Sequence, residues 1–352
     1  MRDLRRSGRL AALGVTIALG LTACASGADV DSQDLDAPTG SEEVTTADPS
    51  PRGSPEAHEE GDRQDPFAAL QQAATHVGET GTAKALASGV AEAAGLEGDI
   101  ETPAVQTYAT LSTLLQEHVY LSGIAVDVGL SSGLDSSEFE AAAATLDGSS
   151  VELSEVVGSV AGDEKAQAFL SLWRAHIGFF VDYAKGTAEG DEQVTQQALD
   201  NLNQYRQQAG AFFEEVTGGA LPADAVAESL TGHIDTLTAA IDAAADGDPA
   251  VFVRLKEAAT HVGESGTAKA LASGVAEAAG LEGDIESPAA QAYATLSTLL
   301  EEHVYLSGIA VKTAYAAGPD TPQFEAAAAT LDESSAELSE VVGAVAGDEK
   351  AQ

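Results

Sequence analysis

The sequence predicts an all-α protein, built of tandem helical hairpins that form a bundle or a short α-solenoid. Three observations predict it. Apolar residues recur at intervals of three and four over long stretches. A long block returns almost unchanged 185 residues later. β-branched alternation of the kind that marks strands is absent.

Helices are expected near 66–95, 103–130, 137–160, 163–187, 191–217, 222–245, 249–280, 288–316 and 322–345. Leu111, Leu114, Leu115, His118, Leu121, Ala125 and Val128 fall on one helical face. Phe169, Leu172, Trp173, His176, Phe180 and Tyr183 do the same, as do Leu230, His233, Leu237 and Ile241. Turns are marked by Gly218-Gly219 and Leu221-Pro222, and by two Gly-Asp pairs. Asp191 lies fifteen residues after His176, and Asp248 fifteen after His233. An aspartate at such a turn can cap the returning helix by accepting its free N–H groups. The stretch from His118 to Asp135 reads as a third hairpin start with a longer turn.

The block Ala73-Ala74-Thr75-His76-Val77-Gly78-Glu79 recurs as Ala258-Ala259-Thr260-His261-Val262-Gly263-Glu264. At the same offset Glu117-His118-Val119-Tyr120-Leu121 returns as Glu302-His303-Val304-Tyr305-Leu306. Between Ala73 and Val126 only five positions differ from their counterparts, which marks a tandem duplication. The domains expected are a first unit with its preceding helix over 65–280 and an incomplete second copy over 281–352. Gln352 aligns with Gln167, ahead of the Trp173 helix, so the reading expects a fragment that stops within the second unit.

The first 23 residues read as a lipoprotein signal peptide. Arg2, Arg5, Arg6 and Arg9 precede an apolar run from Leu10 to Leu21, which is too short to span a bilayer. Leu21-Thr22-Ala23-Cys24 then places small residues before a cysteine, so Cys24 is the expected site of lipidation, carrying acyl chains such as palmitate. Residues 24–64, rich in Asp, Glu, Ser, Thr, Pro and Gly, read as a disordered acidic tether in which His58 is incidental. The expected location is the extracytoplasmic face of the cell membrane, with the membrane contacted only through the lipid anchor. Cys24 is the single cysteine and Met1 the single methionine, so the mature chain has no disulfide and no sulfur ligands for Cu(I).

The formal charge is −41, and residues 1–23 carry four Arg and one Asp, so the remainder carries −44. Such a surface repels polynucleotides and anionic headgroups, and nucleic acid is excluded as a partner. A protein partner or envelope component is the expected one.

His118, His176, His233 and His261 are the constellation of interest, with His303 and His76 as copies of the first and last. A helix rises 1.5 Å per residue, so His233 and His261 lie at matching distances from the Asp248 turn. The same reckoning puts Gln204 and Tyr205 opposite His176, and Asp147 near His118. Two readings follow. Imidazoles converging in a bundle core can hold Zn, Cu(II) or Fe, with Asp147 and Tyr205 supporting them. Alternatively, neutral histidines hydrogen-bond to Tyr205, Asp147 or backbone and fix the register between hairpins.

Sharper chemistries fail. A di-iron bundle site needs Glu three residues before His, and here those positions are Leu115, Trp173, Leu230 and Ala258. No HExxH occurs. Gly78 to Lys84 is only loosely like a phosphate loop, since Ala85 follows the lysine and no strand precedes it. No nucleophile elbow accompanies the serines, so no catalytic residue is assigned and a non-enzymatic role is expected.

Residues 103–280 resemble an uncharacterised helical domain of exported bacterial proteins, sometimes found beside copper-amine-oxidase-type N-terminal stalk modules. The resemblance is carried by Leu114-Leu115-Gln116-Glu117-His118, Thr145-Leu146-Asp147, the run from Leu172 through Trp173 and His176 to Tyr183, and Lys256-Glu257-Ala258-Ala259-Thr260-His261. The family pattern has Met after the last histidine, where this chain has Val262. The resemblance implies the helical fold and export, and no activity.

Overall fold

The computed structural model describes residues 65–263 and 266–346. The expected signal peptide with Cys24 and the expected acidic tether with His58 lie outside the described residues, as do residues 347–352.

The chain begins with α1 (Pro66–Thr75), a π-helical turn (His76–Thr80) and α2 (Thr82–Ala94). Then follow α3 (Pro103–Ser132), α4 (Ser137–Ala161), α5 (Asp163–Glu189), α6 (Glu192–Val216) and α7 (Ala223–Ala245). The second repeat supplies α8 (Val251–Gly263), α9 (Thr267–Ala279), α10 (Pro288–Ala317) and α11 (Pro322–Ala346). The fold is all-α, as expected. Among the described residues no helix is long and apolar enough to cross a membrane.

Local chemistry sets the ends. Asp65 caps α1 through Phe67 N–H at 3.0 Å, ahead of Pro66 at the first helical position. Asp191 caps α6 through Gln193 and Val194 N–H, the role its place after Gly190 predicts. Asp248 accepts from Ala250 N–H just before α8.

Two expected helices are each broken. The 66–95 segment splits at the π-turn and Gly81, and 249–280 splits before α9, where Gly266 has φ +108°. The break lets the preceding turn lie flat on a long helix. A Cβ on Gly78 would come 2.8 Å from Glu301 Cβ, and one on Gly263 2.9 Å from Gln116 Oε1.

The hairpins α3/α4, α5/α6 and α7/α8 form as expected, and α4 packs on α5 and α6 on α7. The series does not extend as a solenoid, because α8 and α9 return to pack on α3 and close a bundle. α3 is thereby buried on every side. Its apolar stripe faces the hairpins, while Ser112, Thr113, Gln116, Glu117 and Tyr120 are buried as well, between the stripe positions.

Those polar residues meet the second repeat. α10, the copy of α3, packs along α3, and α1, the π-turn and α2 pack on α10 just as α8 and α9 pack on α3. Many of these contacts have their partners at the 185-residue offset. Tyr120 Oη donates to Glu302 Oε2 at 3.0 Å and Tyr305 Oη to Glu117 Oε2 at 3.0 Å. The two tyrosine rings stack on each other with centroids 5.3 Å apart and planes 11° from parallel. Ala104 N–H donates to Glu282 C=O, and Ala289 N–H to Glu97 C=O, both at 3.0 Å. Leu255 fills the space over Gly123, and Leu70 the space over Gly308. Reciprocity of this kind is the signature of a two-fold interface. The opening segment of each repeat therefore seats on the other repeat's long helix. The described residues cluster as one unit.

The symmetry is broken at two positions, where buried Gln116 corresponds to the second repeat's buried Glu301 and Gln71 to its buried Lys256. Lys256 Nζ lies 2.8 Å from both oxygens of Glu337 and 3.9 Å from Glu302. The corresponding trio in the first repeat is Gln71, Glu152 and Glu117, where Gln71 offers Glu117 only an amide N–H at 2.9 Å. Burial pushes the Glu117 carboxyl above the usual range, against hydrogen bonds from Gln71, Ser149, Tyr305 and Thr75. Glu152 is raised too, by burial and then by the charges of Glu117 and Glu155.

Candidate functional site

The stripe on α3 points His118 away from the second repeat and toward α5, where Trp173 and His176 project one turn apart. His118 and His176 bring their Nε2 atoms to 3.3 Å. Tyr205 on α6 stacks on the His176 ring at 4.6 Å and 21°, as the rise per residue predicts. His233 on α7 joins through Phe180, whose ring packs against it at 5.7 Å. His118, His176 and His233 are all buried, with exposures of 2, 1 and 6 %. Together with Trp173, Tyr205 and Ser229 they line a cavity of about 80 Å³ between α3, α5, α6, α7 and α9.

Sequence-level expectations part company at the edges of this cluster. His261 is only half-buried. Its ring packs over Gly232, where a Cβ would come 2.6 Å from it, and its Nε2 is 3.4 Å from the Ser229 carbonyl. It adjoins His233 without entering the cavity. Asp147 stays outside altogether, because Arg174 takes it in a bidentate ion pair at 2.6 and 2.7 Å on the partly exposed side of α5. Gln204 faces solvent beside the inward Tyr205. His76 is exposed on the π-turn, and His303 lies half-buried on α10.

The electrostatics are those of an uncharged cluster. Burial pushes His118 down to about 3, with His233 adding to the shift. Burial likewise lowers His233 to about 4, with His261 beside it. His176 falls well below its ordinary value through burial and then the neighbouring His118 and His233, against a smaller opposing pull from the Trp173 carbonyl. Burial raises the Tyr205 phenol well above its ordinary value. At neutral pH one histidine of the pair donates through Nε2 and the other accepts. His118 Nδ1, His233 Nδ1 and Trp173 Nε1 are buried without a hydrogen-bond partner. Three such groups in one small cavity are a concentration of unmet polarity that folded proteins normally avoid.

As a metal centre the cluster has one feature in favour and two against. Tetrahedral metal–nitrogen bonds of about 2.0–2.1 Å set neighbouring donors about 3.3 Å apart, the separation seen here. Yet among the described residues no group of three or more His, Cys, Asp or Glu is arranged to hold a metal ion. Nor do His118 and His233 have the Nδ1–H acceptor that usually orients an imidazole ligand.

Comparison of the chain with protein-family models, curated proteins and solved structures finds no match. The site is therefore read from its own geometry.

The carboxylate–tyrosine network between the repeats was missed by sequence reasoning. Its one signal was that Glu117 and Tyr120 interrupt an apolar helix at identical places in both copies.

The depressed imidazoles make a testable demand. Each binds its proton less readily folded than unfolded, so their contribution is fully present above pH about 6.5 and is lost as pH falls toward 4 and then 3. Glu117 and Glu152 act oppositely, so the comparison is made against a variant at each pH. Urea midpoints measured from pH 7.5 to 4 should fall less steeply for His233→Phe than for the parent chain; equal slopes would contradict the buried neutral cluster.

Proposed function

We propose that this chain is a lipid-anchored, extracytoplasmic helical module with a non-enzymatic interaction role, and that its binding surface is the face of α10 and α11 that corresponds to the seat of α5. One observation carries this reading. His118, Val126, Leu146, Leu153 and Val157 are buried in the first repeat beneath the later hairpins. The same residue types at His303, Val311, Leu331, Leu338 and Val342 are open or half-open. Val126 is 9 % exposed and Val311 56 %. Among the described residues no helix packs there as α5 packs on α4.

What fits such a face is legible from the first repeat. The occupant is an amphipathic helix with α5's chemistry, an aromatic line like Phe169, Trp173 and Phe180 with an imidazole beside it, whether it comes from a partner polypeptide or from further residues of the protein itself. Helix-in-groove recognition of this kind uses anchors at i, i+4 and i+7 spacings. The anchor at Cys24 and the acidic tether support placement outside the cell, in keeping with the family resemblance.

A labelled peptide of residues 163–189, titrated into the chain, should bind saturably at one site. Val311→Asp should weaken it at least tenfold, and a scrambled peptide should not bind. Absence of saturable binding would overturn this reading.

The 3.3 Å spacing of His118 and His176 favours a second reading, in which the cluster holds Zn, Cu(II) or Fe. Elemental analysis of protein dialysed without chelator should then find about one metal per chain, lost in His176→Ala. A metal-free protein would remove this reading and leave the first untouched.

A further inference from the structure

A second cavity, of about 240 Å³, lies where the α7/α8 hairpin meets the second repeat. Its walls are Ile124 from α3, Leu237 and Ile241 from α7, Phe252 and Leu255 from α8, and Ile309 from α10. Apolar cavities of roughly 150 Å³ already admit benzene. We propose that this cavity is a binding site for an uncharged, apolar small molecule of aromatic or alkyl character.

The class follows from how the polar groups around it are spent. Asp127 and Lys312 form an ion pair with each other at its rim. The Thr313 hydroxyl donates to the Ile309 carbonyl at 2.8 Å. Asp248 accepts from Ala250 N–H at 2.9 Å. The carboxylate of Asp248 is exposed at the turn rather than set among the apolar walls, so a ligand charge buried between those walls would go uncompensated.

Comparison of the two repeats supports the same conclusion independently. Residues 127–138 differ from 312–323 at ten of twelve positions, whereas residues 73–126 differ from 258–311 at only five. Lys312, Thr313, Ala316, Ala317 and Gln323 all fall in this divergent window and line the cavity. Where the first repeat has Ser131, Ser132 and Glu138, the cavity wall has Ala316, Ala317 and Gln323. Where it has Asp127, the second has Lys312, which turns a facing pair of aspartates into an ion pair. Four substitutions in one wall thus remove hydroxyls or unbalanced charge. The single opposing change, Val128 to Thr313, adds a hydroxyl that is turned back onto its own helix.

The test is a fluorescence titration of the whole chain with N-phenyl-1-naphthylamine, an uncharged aromatic probe. The expected result is one saturable site whose affinity falls at least tenfold in Ala240→Leu, from the α7 wall, and in Ala316→Phe, at the exposed rim on α10. Ala316→Phe keeps the test decisive if the buried substitution disturbs folding, as judged by circular dichroism. Gly178→Leu, in the separate cleft between α3, α4 and α5, should leave binding unchanged. The proposal is overturned by absence of saturable binding, by binding that survives Ala316→Phe, or by loss of binding in Gly178→Leu.

Discussion

The structure depends on one constraint: two carboxylates, Glu117 and Glu302, are buried between the long helices of the two repeats and must find donors there. Each finds a tyrosine from the other repeat. A buried carboxylate without partners is costly, and the tyrosine partners here come only from one register of α3 against α10. That register aligns the stacked Tyr120 and Tyr305, the leucines over Gly123 and Gly308, and the paired backbone bonds at Ala104 and Ala289. It also fixes α8 and α9 on α3, so the second repeat closes the bundle that the first begins. The imidazole cluster lies on the opposite side of the same helix and inherits its position from that packing.

Much of this was legible in the sequence, and what was not has physical reasons. Periodicity located the helices, the Gly190-Asp191 pair the capped turn, and the rise per residue the stacking of Tyr205 on His176. A single chain's periodicity cannot say which copy of a repeat a helix face will meet. α3 was therefore read as amphipathic, although Gln116, Glu117 and Tyr120 are as buried as its leucines. Asp147 was placed near His118 by height along the hairpin alone. Height does not fix azimuth, and Arg174, one helical position beyond Trp173, drew the carboxylate outward instead. The glycines at 78 and 263 hid the helix breaks, because their purpose is a close approach to another repeat that only the tertiary structure displays.

Duplication gives this molecule internal controls. Where the copies remain alike, the difference between His118 buried and His303 half-open measures what α5 and its successors cover. Where they have diverged, as at Gln71 against Lys256, the change shows one buried carboxylate with a cation and its twin without. The divergent end of α10 borders the apolar cavity, and the conserved middle builds the interlock. Function is thus proposed at surfaces where the two-fold relation fails, and stability resides where it holds.

The interlock is tested most directly by a double-mutant cycle across it, with Tyr120→Phe and Glu302→Gln, read as unfolding free energies in urea. These residues lie 182 positions apart and touch only if the repeats dock reciprocally. The account predicts a coupling of roughly 0.5–3 kcal/mol, the range for groups sharing one hydrogen-bonded network. Effects that add to within about 0.3 kcal/mol would contradict it.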